Sequence, residues 1–148
     1  MAKKINWHKV FNKLNQLQWN PIGATYDSGV NCFSIILVLL NNIGYKIPIS
    51  DDRIITGDYT YDNVLDRFEK DNKRTVKKMT EYLLQWVKEI LKKDMRIGDI
   101  LLLLSDNKLF PVIYSGNMKF LTITPNGTYH IKISNEYKII RVYRGNNQ

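Results

Sequence analysis

Apolar residues recur at helical spacing in the first half of the chain and change to short runs in the second half. The first apolar stripe comprises Trp7, Val10, Phe11, Leu14 and Leu17. This stripe predicts an amphipathic helix over residues 7–17. The segment 31–43 is apolar on nearly every side, which is typical of a buried helix. Asn31 is a favourable N-cap and Gly44 a common stop, so we expect the central helix to lie between them.

Two more helices are predicted before residue 93. A short amphipathic helix is indicated by Tyr61, Val64, Leu65 and Phe68. A longer helix is expected over residues 74–92. Its predicted core face comprises Val76, Met79, Leu83, Trp86, Val87, Ile90 and Leu91. The stretch 44–57 shows no periodicity and is predicted to be irregular.

Beyond Met95 the pattern becomes that of short strands separated by turns. The predicted strands cover residues 99–104, 109–114, 118–124, 128–133 and 138–143. Turn signals such as Asn126-Gly127 favour an antiparallel meander of about five strands. Helices first and strands second predict an α+β fold, with the helices packed on one side of the sheet.

The 148 residues are predicted to form one domain, because no linker, repeat or low-complexity segment divides them. Its parts are an N-terminal helix and turn (1–22), the cysteine helix with a helical insert (23–94) and the β-meander (95–148). Hydrophobic residues make up 44% and charged residues 24%, both ordinary for a globular protein.

The sequence predicts no membrane span, signal peptide, metal site or cofactor. The longest apolar run, residues 35–40, is too short to cross a bilayer, and polar residues follow the basic start. Cys32 is the only cysteine, so it has no partner for an internal disulfide and belongs to no zinc-like spacing. Asp51, Asp52 and Asp58 lack the spacing of an EF-hand loop and are interpreted as turn and cap residues.

The net charge of +8 permits an anionic partner without requiring one. The densest basic run comprises Lys70, Lys73, Arg74, Lys77 and Lys78. No nucleic-acid-binding signature accompanies this run, so we interpret it as a solvated helix face and expect no nucleic-acid partner. A basic adaptor that binds nucleic acid or an anionic wall polymer is the weaker alternative.

The position of Cys32 suggests two interpretations. Backbone N–H groups and the dipole at a helix N-terminus favour a thiolate, which is the nucleophilic form of cysteine. Alternatively, Cys32 is a small buried residue of a core helix. Nucleophilic catalysis also needs a nearby base.

Three short sequence elements occur in a fixed order along the chain. Asn31-Cys32 opens the buried helix, Gly98-Asp99 opens the first strand, and Ile-Tyr-Ser-Gly-Asn occupies 113–117. This order resembles the NlpC/P60 branch of the papain-like cysteine peptidases, over most of the chain beyond the first helix. In that family an Asp-Cys pair starts the central helix. The resemblance implies a papain-like fold with Cys32 at the position of the nucleophile.

The chain departs from this family at the other catalytic positions. The general-base histidine of the family aligns with Phe110, which cannot take a proton, and its orienting residue falls near Thr122. The resemblance therefore implies a degenerate site at Cys32, Phe110 and Thr122. A general base contributes about a hundred- to ten-thousand-fold to rate. The alternative is an active cysteine peptidase or amidase on cell-wall peptides that pairs Cys32 with His130, which strand alternation puts on the more polar face of its strand.

A cysteine helix and a Gly-Asp strand without the histidine also resemble small tail-associated proteins of bacteriophages related to NlpC/P60. This resemblance implies a structural virion component near the tail hub or tip, made in the host cytoplasm and carried by the particle. Other virion or tail proteins are then the expected partners, with contact to the bacterial cell wall as a further expectation.

Overall fold

A computed structural model describes residues 4–21, 29–48, 52–57 and 64–148 of the chain. Within these ranges the helices are α1 (Trp7–Leu14), α2 (Ser34–Asn42), α3 (Asp52–Thr56), α4 (Val64–Lys70) and α5 (Asn72–Leu83). The strands are β1 (Val87–Ile90), β2 (Ile100–Ser105), β3 (Lys108–Gly116), β4 (Lys119–Thr124), β5 (Gly127–Lys132) and β6 (Lys138–Gly145). The predicted α+β class is confirmed. No described helix is long and apolar enough to cross a membrane.

The sheet has six strands in the order β1-β6-β2-β3-β4-β5, and every neighbouring pair is antiparallel. All five predicted strands are present, and β2 to β5 form the expected meander. The expected count of about five strands is wrong by one. The last strand also does not extend the meander, because β6 returns to pair with β2 on the opposite side.

The extra strand, β1, lies where the sequence predicted the end of a long helix over 74–92. Helix α5 ends at Leu83, and the chain then turns into β1, which pairs with β6 from Val87 to Ile90. Leu83 and Val87 are both buried. Their spacing of four residues fits one face of a helix, but the two residues are also buried when a turn separates them, as it does here. The predicted core position Leu91 is instead 61% exposed.

Other differences concern element ends. Helix α1 stops at Leu14 instead of residue 17, although Leu17 is still buried. The short helix α3 replaces part of the stretch predicted to be irregular. Helix α4 matches the predicted short amphipathic helix, whose Tyr61 lies outside the described residues.

Alternation along the strands divides the apolar side chains between two cores. One face of the sheet contributes Ile100, Ile113, Leu121, Ile123 and Tyr143 to the main core, which contains the whole apolar surface of α2. The other face contributes Leu101, Leu103, Val112, Phe120 and Val142 to a second core. Among the described residues, the side chains packed in this second core all come from residues 90–142, that is, from the strands and the segments that connect them.

Gly98 joins helix α1 to the sheet. Its φ of +89° lies in the left-handed region that glycine tolerates best. A Cβ atom at this position would overlap the six-membered ring of Trp7, so the indole of α1 packs directly on the glycine backbone. The N–H of Gly98 donates to the carbonyl oxygen of Tyr114 at 2.8 Å, which ties the same residue to β3.

Asp99 forms a buried ion pair with Arg144 of β6. The Nε and Nη2 atoms of Arg144 donate to the two carboxylate oxygens of Asp99, both at 2.8 Å. The Arg96 N–H donates to the same carboxylate at 2.7 Å, and Arg144 also donates to the Asp94 carbonyl oxygen. The hydrogen bonds that Arg144 donates to Asp99 raise the pKa of the guanidinium above its ordinary value.

Strand β6 contributes an arginine to two ion pairs, one buried and one exposed. Comparing their variants tests how burial changes the contribution of an ion pair to stability. The Asp99 and Arg144 side chains are 2% and 11% exposed, whereas the Glu89 and Arg141 side chains are 49% and 52% exposed. We expect Arg144→Ala to lower the free energy of unfolding by about 3–5 kcal/mol, because a buried carboxylate loses its counter-charge. Arg141→Ala should cost no more than about 1 kcal/mol. Urea unfolding measures both, and equal losses would contradict this account.

Alanine substitutions at Gly98 and Gly127 distinguish the cost of a steric contact from the cost of backbone strain. Both have positive φ, but a Cβ at Gly127 would meet nothing within 4 Å. Gly127→Ala should therefore cost about 1–2 kcal/mol from backbone conformation alone. Gly98→Ala should cost several kcal/mol more, because it also displaces Trp7. Thermal unfolding with tryptophan fluorescence checks this order, and a Gly98→Ala variant as stable as Gly127→Ala would refute the close contact.

Candidate functional site

Cys32 follows the residue that caps the central helix. The Asn31 side-chain oxygen accepts from the Ser34 N–H at 2.8 Å, and the Asn31 N–H donates to the Ser34 hydroxyl oxygen at 2.8 Å. These reciprocal bonds form a capping box, with Asn31 as N-cap and Ser34 three residues later. Regular helix begins only at Ser34, two residues beyond the predicted start at Cys32. The predicted place of Cys32 in the capped first turn is nonetheless observed.

The half-buried Cys32 opens onto a cavity of about 370 Å³ between the helices and β3. Its apolar lining consists of Leu65 and Phe68 from α4 and of Leu109 and Phe110 from β3. Three polar side chains complete the wall, namely Glu69, Asn72 and Lys108. This volume suits a small organic group or one side chain of a larger partner.

Asn72 fixes the helical wall of this cavity to the sheet. Its side-chain amide donates to the Leu109 carbonyl oxygen at 2.7 Å, and its side-chain oxygen accepts from the Leu109 N–H at 2.6 Å. The pairing of β3 with β4 begins only at Ile113, four residues after Leu109. The Asn72 side chain therefore takes the place of a neighbouring strand in binding the backbone N–H and carbonyl groups of Leu109. Pro111, on the same edge, has no N–H to satisfy, as expected for proline at a strand edge.

Phe110 occupies both the cavity wall and the second core. Its ring centroid lies 6.1 Å from that of Tyr137 and 6.4 Å from that of Phe120. Phe110 pairs with Leu103 of β2, so its ring lies on the face of the sheet that carries the second core, opposite the face of the main core against which Cys32 packs. Thr122, the third residue of the predicted degenerate site, lies half-buried on β4 and is not among the residues that line the cavity.

His130 lies at the contact between β5 and helix α1. Its Nε2 atom is 2.8 Å from the Asn15 side-chain oxygen, and its ring centroid is 6.2 Å from that of Phe11. It pairs across the sheet with Leu121 and so is on the face that carries the helices, at an exposed rim. Partial burial and the nearby Lys119 lower the pKa of His130 below its ordinary value, which favours the neutral form of the ring.

Neither histidine belongs to the described lining of the Cys32 cavity. His8 lies on the exposed side of α1, 3.3 Å from the Asn12 amide nitrogen. The structure thus brings Cys32 and Phe110 to one cavity, and it places His8 beside Asn12 of α1 and His130 beside Asn15, the C-cap of α1. The pairing of Cys32 with His130 stays a prediction.

Three wall residues of this cavity were not identified from the sequence. Glu69, Asn72 and Lys108 carried no motif, and Asn72 lies before the predicted start of its helix at residue 74. An asparagine directly after Asp71, between two amphipathic segments, was the available signal for a helix start. Among the described residues, no group of three or more His, Cys, Asp or Glu side chains could hold a metal ion. Asp51 and Asp58, and the side chain of Asp52, lie outside the described part.

Comparison with known proteins leaves the family of this chain open. No protein-family model matches it, and no curated protein sequence matches it. The functional conclusion therefore rests on the sequence pattern and on the geometry of the Cys32 cavity.

Proposed function

We propose that this protein is a structural component of a bacteriophage virion, located near the hub or tip of the tail. In this proposal the chain has an NlpC/P60-like fold without peptidase activity. Its partners are other tail proteins, and its distal position brings it near the bacterial cell wall.

The observation that carries the proposal is the composition of the Cys32 cavity. Phe110, at the position that resembles the family's general base, is among the described lining residues, and no imidazole is among them. A cysteine nucleophile depends on a base that takes its proton and later returns it to the leaving group. Among the described wall residues the one carboxylate is that of Glu69, which is exposed.

The retained framework supports a structural use of this fold. The capping box at Asn31, the close contact at Gly98 and the ion pair of Asp99 all occur at positions that resemble family markers. Each of them contributes to packing or to backbone hydrogen bonding. A lineage that lost its catalytic base would keep these residues because the fold requires them.

The sheet also offers edges for assembly. Strands β1 and β5 are the two outer strands of the sheet, and Tyr129 on β5 is 45% exposed. Outer strands present backbone groups that can pair with a strand of a neighbouring subunit. Such pairing is a common way for extended protein assemblies to join their subunits.

The purified chain should not cleave cell-wall peptides. We expect wild type, Cys32→Ala and His130→Gln to release equal, background amounts of product from peptidoglycan stem peptides in reducing buffer. Mass spectrometry of the products measures this, with an active cysteine peptidase as the positive control. Cleavage that Cys32→Ala and His130→Gln both abolish would instead establish the enzyme alternative.

A separate measurement tests whether the chain is a component of the tail. Tail particles purified from the phage that encodes the chain should contain it at a fixed copy number, resistant to washing with high salt. Quantitative mass spectrometry of washed particles gives that number. Absence of the chain from intact particles would refute the structural assignment even if no cleavage is detected.

A further inference from the structure

A second cavity, separate from the Cys32 cavity, lies between α1 and the C-terminal end of α2. It has a volume of about 450 Å³, and its described lining includes Lys4, Lys9 and Lys13. No carboxylate is among the residues of its described lining. We call this cavity the lysine cleft.

The positive charge of the lysine cleft is not balanced locally. Residues 1–50 contain five lysines and a single carboxylate, Asp27. In the described part of the chain, none of the three cleft lysines forms an ion pair. Lys9 and Lys13 are one turn apart, about 6 Å along the α1 axis, and like charges at this spacing destabilise a helix slightly.

These lysines are not needed to satisfy the end of α2. Cations near a helix C-terminus can complement its last carbonyl groups. Here the carbonyl oxygens of Leu37 and Val38 accept from the Asn41 and Asn42 side-chain amides. The Leu40 carbonyl oxygen accepts from backbone N–H groups that follow the helix. The ammonium groups are therefore available to a ligand.

The rest of the described lining of the lysine cleft is apolar, apart from the side-chain amides of Asn6, Asn41 and Asn42 and the backbone of Gly44. Ile5, Val10 and Ile43 supply hydrocarbon surface, and Val10 is almost completely buried. Asn42 donates to the Val38 carbonyl oxygen, which leaves its own side-chain oxygen as an acceptor for a hydroxyl group. The cleft thus combines cationic, apolar and hydroxyl-accepting groups within a volume typical of small-molecule sites.

We propose that the lysine cleft binds an organic phosphate. Its phosphoryl group contacts the ammonium groups of Lys9 and Lys13, with Lys4 adding to the positive potential. Its carbon body lies on Ile5, Val10 and Ile43. Lysine is a common phosphate ligand because its ammonium is a compact point charge with three donors. This proposal does not depend on the proposed virion function.

Titration of the full chain with three probes tests the lysine cleft. Adenosine monophosphate and glycerol 3-phosphate supply organic phosphates of different body size, and inorganic phosphate supplies the anion alone. Isothermal titration calorimetry should show saturable one-to-one binding of at least one organic phosphate, about tenfold tighter than inorganic phosphate. Lys9→Ala and Lys13→Ala should each weaken it about three- to tenfold, as expected for partly exposed charge contacts.

Lys77→Ala is the matched control, because it removes the same charge from an exposed helix position outside the cleft. It should leave the affinity within about twofold of wild type. Equal weakening by Lys9→Ala and Lys77→Ala would show binding through overall charge only and would overturn the proposal. Inorganic phosphate binding as tightly as both organic probes, or no saturable binding of either probe, would also overturn it. Thermal unfolding of each variant confirms that the compared proteins are folded.

Discussion

A buried carboxylate at the start of β2 connects the parts of this molecule. Asp99 receives two hydrogen bonds from Arg144 and one from the Arg96 backbone, which fixes the turn into β2 and its pairing with β6. The preceding residue, Gly98, accepts the Trp7 ring and thereby positions α1 against the same strand. Charge pairing and close packing at two adjacent residues thus align the sheet with the helices that cover it.

This alignment determines what surrounds the cysteine. Helix α2 is apolar on all sides and lies in the main core, so the capping box at its start holds Cys32 at the rim of that core. Helices α4 and α5 close the space in front of the thiol, and Asn72 binds them to the free edge of β3. The described lining of the resulting cavity combines the thiol with apolar residues of α4 and β3 and with the polar side chains of Glu69, Asn72 and Lys108.

Local pattern was sufficient to predict most elements but not their arrangement. The strands could be predicted because alternation and turn signals are local, as at Asn126-Gly127. The pairing of β6 with β2 could not, since no local signal encodes which strands become neighbours. The predicted helix over 74–92 was wrong beyond Leu83. Leu83 and Val87 fit a helical stripe, but pairing with β6 determines the strand conformation of β1.

Some residues of the candidate site could likewise be predicted from local sequence, and others could not. Cys32 could be identified from its place before an apolar helix, and Phe110 from a resemblance at the base position. The contacts of His130 with Asn15 and Phe11 join residues more than a hundred positions apart in sequence, so no periodicity could predict them. The unbalanced lysines of α1 were present in the sequence, but only the packing of α1 on α2 shows that they line a cleft.

The central claim is that neither His8 nor His130 reaches the cavity onto which Cys32 opens. The most direct test is the rate of Cys32 alkylation by iodoacetamide in the native protein, measured from about pH 5 to 9. Wild type, His130→Gln and His8→Gln should give superimposable pH profiles, because neither imidazole lines the cavity. A reactive plateau near neutral pH in wild type that His130→Gln removes would contradict this account and identify a thiolate–imidazolium pair.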